Sequence, residues 1–195
     1  MAITTDDVKK LREETGVSVM KCKDALEDAK GDMKKAMAIL QKKSKEVADK
    51  KKDRTLGAGR VVSYVHNTKT VGVLLELSCE TDFVAKNEEF IDLGYNIAMH
   101  IAAMNPEYIS VDEVSDEYKD EARVGFEKEL SDKPDGVREK AIEGKLASHL
   151  SEMALMEQSY VKDADKTVGV LVEEAIQKFG ERIEVGRFTR YQVGS

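Results

Sequence analysis

Apolar positions in the first forty residues fall at helical spacing in three short blocks. Val8 and Leu11 mark the first, with Thr4 placed to cap it, Asp7 three residues on, and Ile3 and Val8 positioned as a hydrophobic staple. Gly16 stops this helix. Ser18 opens a second, carrying Val19, Cys22, Ala25, Leu26 and Ala29, while Met20 neighbours that stripe rather than sitting on it. Gly31 ends the second helix, and Asp32 caps a third with Met33, Ala36, Met37 and Leu40 on one face. Two tight turns between short helices predict a compact three-helix bundle, its methionines filling a core too small to be robust alone. From Lys42 to Arg54 the pattern gives way to lysine. No aromatic residues interleave there to stack on bases, so the stretch reads as a solvated helical extension and linker.

After Gly57-Ala58-Gly59 the period changes. Residues 60–66 and 70–79 are rich in Val and Leu and flank Asn67-Thr68-Lys69, a hairpin signal. Asn87 is placed to cap a helix with Glu88 and Glu89 in its first turn and Phe90, Leu93, Ile97, Ile101 and Met104 on one face; Asn105-Pro106 ends it. Helices are expected near 115–130, 136–156 and 167–179, and a strand over 183–193. The predicted class is α+β: a helical module over 1–53, then a core of a small antiparallel sheet packed with helices over 54–195. Lys69-Thr70-Val71-Gly72-Val73-Leu74 recurs unchanged at 166–171, but the first copy leads into a strand pattern and the second into a helix pattern. A six-residue identity in unlike contexts is coincidence, not a structural repeat.

Charge sharpens the division. The 195 residues carry a formal net charge of -7, yet residues 1–60 sum to +5 and residues 61–195 to -12. An acidic total argues against direct nucleic-acid binding, which needs clustered Lys and Arg. The longest apolar runs are far too short for a bilayer. Residues 1–7 lack the basic and apolar regions of a secretory signal, and two cysteines suit a reducing compartment. The expectation is a cytoplasmic protein.

Catalytic chemistry is thinly represented. There is no phosphate-binding GxxxxGK[ST], and Gly57-Ala58-Gly59 lacks the third glycine of a dinucleotide loop and precedes a strand. His66, His100 and His149 have no metal-ligand spacing among themselves or with the cysteines. Cys79, His100 and Asp82 form a nominal nucleophile set, but Cys79 continues a strand pattern with no electropositive neighbour to activate it. The reading is therefore of a non-enzyme with no cofactor. The informative segment is Thr81-Asp82-Phe83-Val84, where a strand end places an acid and two apolar residues just before a helix cap. Phe83 is either a staple folded onto its own helix or an anchor offered to a partner.

Several blocks carry a resemblance. Residues 8–16 (Val-Lys-Lys-Leu-Arg-Glu-Glu-Thr-Gly), 20–26, 77–87 (Leu-Ser-Cys-Glu-Thr-Asp-Phe-Val-Ala-Lys-Asn), 97–103 and 185–188 resemble, in order along the chain, the elongation factor Ts family. The resemblance implies a guanine-nucleotide exchange factor for elongation factor Tu, with an N-terminal module like ubiquitin-associated domains. It assigns Thr81, Asp82, Phe83 and Val84 to dislodging Mg²⁺ in the partner, and Arg12, Val19, Met20 and His100 to further contacts. The short span between the Thr-Asp-Phe-Val and Ile-Ala-Met-His blocks resembles a single-core form, which implies a homodimer. The contrasting readings are a helical adaptor for a ubiquitin-like partner and a thiol enzyme using Cys79; both leave Phe83 without a role.

Overall fold

The computed structural model describes residues 3–132 and 134–194. It is of the α+β class, helices first and small antiparallel sheets after. The chain divides into two compact units: residues 1–63, 74–96 and 170–189, and residues 64–73, 97–169 and 190–195.

The first unit begins with α1 (Thr5–Thr15), α2 (Val19–Asp28) and α3 (Met33–Asp49). Thr4 and Asp7 form a reciprocal capping box: the Asp7 N–H donates to Thr4 Oγ1 at 3.2 Å, and the Thr4 N–H to Asp7 Oδ2 at 3.0 Å. Gly16, at φ 66°, closes α1 by donating to Arg12 O at 2.8 Å. Leu11, Cys22, Ala25, Leu26, Ala36 and Leu40 form the bundle core, with Ile3, Met33 and Met37 packed against it as the spacing predicts. Val19 departs from the stripe. It is the first residue of α2, beyond the end of the buried row that begins at Cys22, and is 50% exposed. The lysine-rich stretch departs too. Ser44 is buried, its hydroxyl donating to Leu40 O at 3.0 Å and meeting the Gln177 side-chain oxygen, and Lys51 Nζ donates to Gly180 O at 2.6 Å. This segment is fastened as well as solvated.

A hairpin joins β1 (Ala58–Val65) to β2 (Val71–Cys79), closed by the His66 N–H on Val71 O at 2.9 Å. On the other side of β2 lies β5 (Ile183–Gln192), giving the order β1-β2-β5. Val193 bonds Thr70 at the start of β2 and Arg182 bonds Glu80 at its end, so β5 runs antiparallel to β2. Along β2, Val73, Leu75, Leu77 and Cys79 are buried while Leu74 is exposed, the alternation of a sheet with one covered face. Gly59 explains its own glycine: a Cβ there meets Leu77 O at 2.6 Å and Ser78 Cα at 2.9 Å, backbone that cannot yield. Across the sheet, α5 (Glu88–Met104) approaches so closely at Gly94 that a Cβ meets Val62 Cγ2 at 2.8 Å. Its apolar row buries Phe90, Ile97 and Ile101, but Met104 is 46% exposed because the helix stops there, at Asn105 in positive φ before Pro106. Phe90 meets Phe179, the last residue of α8 (Val168–Phe179), edge to face at 6.3 Å.

The second unit holds α6 (Asp116–Glu129) and α7 (Asp135–Met153), linked by Arg123 to Glu139 and Glu143 and by Lys145 to Glu129. The expected helix over 136–156 is therefore too long. Beyond Met153 the backbone pairs elsewhere, the Leu155 and Met156 N–H groups donating to Tyr108 O and Ile109 O at 2.9 and 3.0 Å. A small antiparallel pair that the periodicity does not predict follows, β3 (Ser159–Tyr160) with β4 (Asp163–Thr167). The repeated hexapeptide indeed adopts two structures. Its first copy runs from the hairpin turn into β2, its second from β4 into α8. Among the described residues no helix is long and apolar enough to cross a membrane.

Candidate partner-binding site

β2 ends at Cys79, and Thr81 turns the chain into the single-turn helix α4 (Asp82–Ala85). That turn divides its side chains. Val84 and Ala85 are buried, while Phe83 stands 83% exposed. The ring is thus not a staple on its own helix; it projects into solvent. Beside it Asp82, also exposed, is paired with Lys86 at 2.5 Å, and this hydrogen bond holds its carboxyl below the usual carboxylate range.

The segment is held at both ends. The Thr81 N–H and hydroxyl donate to the two oxygens of Glu181 at 3.0 and 2.6 Å. Immediately before it, Glu80 accepts the Arg182 N–H at 2.6 Å and the Arg54 guanidinium at 3.2 Å, which together depress its pKa, the Arg182 bond most. At the far end Arg60 Nε donates to Ala85 O at 2.8 Å. Spacing along the chain gives no signal for Glu181, Arg182, Arg54 or Arg60, because each acts across a long stretch of sequence.

Of the N-terminal candidates, Met20 is 67% exposed, as its place beside the stripe predicts. Arg12 and Val19 line a groove with Ile3, Thr4, Val8 and Lys23, between α1 and α2. The first unit therefore presents Phe83 and Asp82 on α4, and Val19, Met20 and Arg12 on the bundle.

His100, in the second unit, is different. Its side chain is fully buried within its own unit. The Val161 N–H donates to Nδ1 at 3.2 Å, so the proton sits on Nε2, which donates to Gln158 Oε1 at 2.9 Å. Gln158 in turn donates to Glu152 O at 2.6 Å, and Tyr160 lies against the imidazole at 6.0 Å. The ring is a neutral bracket for the β3–β4 pair. Burial lowers its pKa below the ordinary 6.5, the Gln158 bond opposing. A histidine with a depressed folded pKa contributes stability that is complete above the unfolded value and declines as pH falls from there towards the folded one. Melting followed from pH 8 to pH 5 is accordingly expected to show a loss of stability beginning near 6.5 that a His100→Gln variant lacks; parallel profiles would contradict it.

The nominal nucleophile set dissolves on the same grounds. Cys79 Sγ donates to Thr81 O at 3.2 Å, and burial first, then the Glu181 charge, push its thiol up, away from the reactive thiolate. Both His100 nitrogens are occupied. His66 is bonded to Tyr64 at 3.0 Å and His149 to Tyr118 at 2.9 Å. Among the described residues no group of three or more His, Cys, Asp or Glu could hold a metal.

Comparison with known proteins bears on what this arrangement serves. A sequence profile described as Elongation factor TS matches residues 6–195. The chain is 46% identical to elongation factor Ts of Thermotoga petrophila over 194 residues, all of this chain and 98% of that protein. Against elongation factor Ts of Pseudothermotoga lettingae it is 47% identical over 196 residues (100% and 99%), and against that of Thermodesulfovibrio yellowstonii 46% over 195 (100% and 98%). With matches of this strength over its whole length, the chain belongs to the elongation factor Ts family and is a translation elongation factor.

Proposed function

We propose that this protein is a guanine-nucleotide exchange factor that binds elongation factor Tu and promotes release of GDP. The observation that carries the reading is Phe83: a large apolar ring, 83% exposed, on a loop braced at both ends and next to a carboxylate. Solvent exposure of such a ring is unfavourable in the free protein and is relieved when a partner covers it. The groove at Arg12 and Val19, with Met20 beside it, supplies a second contact on the same unit. In this reading residues 1–53 recognise the partner and residues 54–195 carry exchange and dimerisation, a division of labour rather than of packing.

No chemical step is required of the factor. In the partner, Mg²⁺ bridges the nucleotide phosphates and the protein, so displacing it removes a large share of nucleotide affinity. Phe83 inserted between elements of the GTPase favours a distorted state that binds nucleotide poorly, and Asp82 beside it disturbs the metal's surroundings. The factor binds that state best; it weakens nucleotide, and nucleotide weakens it by the same factor. A barrier lowered by about 4 kcal/mol accelerates release roughly a thousandfold. The balance between GDP and GTP forms is unchanged. The deciding experiment is release of fluorescent GDP from elongation factor Tu with and without this protein over a range of Mg²⁺ concentrations. Strong acceleration is expected, and its absence with a folded sample would remove the reading.

We further propose that the working form is a homodimer and the compartment the cytoplasm. The outer face of the sheet supports the first: Val61 and Leu74 are 69% and 51% exposed, with Phe188 beside them and the Glu76–Arg187 pair (2.8 Å) and Thr189 at the same face. A second copy seated there covers this face. Light scattering at working concentration is expected to return twice the 21.7 kDa chain mass; a purely monomeric sample contradicts it.

A further inference from the structure

We infer that Glu181 is a positioning residue for nucleotide exchange, acting through Thr81 to hold Phe83 in its projecting attitude; this rests on the exchange reading above. Thr81 occupies the N-cap position of α4 in extended backbone (φ -127°, ψ 156°), where its hydroxyl would ordinarily accept a helix N–H. It makes no such bond. Instead the hydroxyl donates to Glu181 Oε1 at 2.6 Å while the Thr81 N–H donates to Oε2 at 3.0 Å. One carboxylate thereby fixes both the side-chain rotamer of Thr81 and the peptide plane that leads into Asp82 and Phe83.

The neighbouring residues repeat the fastening in the opposite sense, Glu80 accepting the Arg182 N–H at 2.6 Å. The approach to β5 and the exit from β2 are therefore cross-braced by adjacent carboxylates, one from each segment. Lys51 bonds Gly180 O and Arg182 Nη1 bonds Arg54 O, so the receiving segment is itself tied down. An exposed aromatic ring can act as a wedge only if its backbone resists being pushed back, and small misplacements of such groups are costly. Glu181 contributes that resistance without touching the partner.

The chemistry of the pair dictates the test. A carboxylate accepts on both oxygens, whereas a glutamine offers one acceptor and one donor, so Glu181→Gln can keep the Thr81 N–H bond only by reversing the hydroxyl bond, and it replaces two charge-assisted bonds with neutral ones. Thr81→Val removes the hydroxyl with little change of shape, and Thr81→Ser retains it. With elongation factor Tu, Glu181→Gln and Thr81→Val are each expected to lower the maximal rate of stimulated GDP release about tenfold, with KM for the partner within about twofold because the bundle groove is untouched. Thr81→Ser, which keeps the hydroxyl, is expected to lose clearly less than Thr81→Val, and the double variant Thr81→Val/Glu181→Gln is no worse than either single one.

An independent readout needs no partner. The chain has no tryptophan, so Phe83→Trp places a single reporter on the loop. Its fluorescence anisotropy is expected to decay faster when Glu181→Gln is added, and to change clearly less with Thr81→Ser. A wild-type maximal rate in Glu181→Gln, or equal losses in Thr81→Ser and Thr81→Val, overturns the inference. If the unmodified protein fails to stimulate release at all, the exchange reading falls and takes this role with it. The anisotropy comparison then shows separately whether the brace itself exists.

Discussion

Replacing Phe83 by Ala is expected to reduce stimulated GDP release at least tenfold while leaving the melting temperature of the factor where it was. Both halves follow from exposure. The ring is 83% exposed and fully surrounded by neither core nor its own helix, so truncating it creates no cavity; substitutions of this kind at the surface stay within about 0.5 kcal/mol. Val84 and Ala85 continue to anchor α4, and the Glu181 and Arg60 bonds to the flanking backbone are untouched. What disappears is the apolar area that the proposed contact with the partner would cover, and buried aromatic anchors carry a disproportionate share of interface energy. The check is a stopped-flow exchange assay beside a thermal melt. A variant that exchanges normally would move the wedge to another residue.

Phe90→Ala is expected to do the reverse, destabilising the protein by about 3–5 kcal/mol. Phe90 lies seven residues on, is fully buried, and meets Phe179 edge to face at 6.3 Å. Its removal leaves a cavity beside the end of α8, where Gln177, Gly180 and Glu181 bond Ser44, Lys51 and Thr81. A denaturation midpoint shifted well below wild type, with exchange recovered at low temperature where the fold persists, is the expected pattern. Little change in the midpoint would mean that the core closes over the gap. The two phenylalanines, alike in composition, thus separate function from stability.

Much of this arrangement is legible in the sequence where the determinants are local. The capping box at Thr4 and Asp7, the left-handed stop at Gly16 and the alternation along β2 all follow from neighbours a few residues apart. The off-stripe place of Met20 correctly indicates an exposed side chain. Other readings miss for identifiable reasons. Val19 falls on the right period but precedes the packed part of its helix, and Met104 lies where the helix stops. The end of α7 is set by hydrogen bonds from Leu155 and Met156 to a distant segment, not by a local stop signal. The brace at Glu181 leaves no trace in spacing at all, since a hydrogen bond between residues 100 positions apart has no periodicity.

That separation also bears on when the site comes into being during synthesis. Thr81 to Val84 and the strand that leads to them are made long before Glu181 and the β5 strand that follows it. A nascent chain ending at Gly180 contains every residue of the Thr81–Val84 loop but lacks the carboxylate that receives Thr81. It also lacks Arg182, the partner of Glu80. Closing such a distant contact waits on the chain between. Chains that stop short of Glu181 therefore carry the loop without its brace, and the projecting aromatic ring is set in place only once a residue 100 positions after Thr81 has been made.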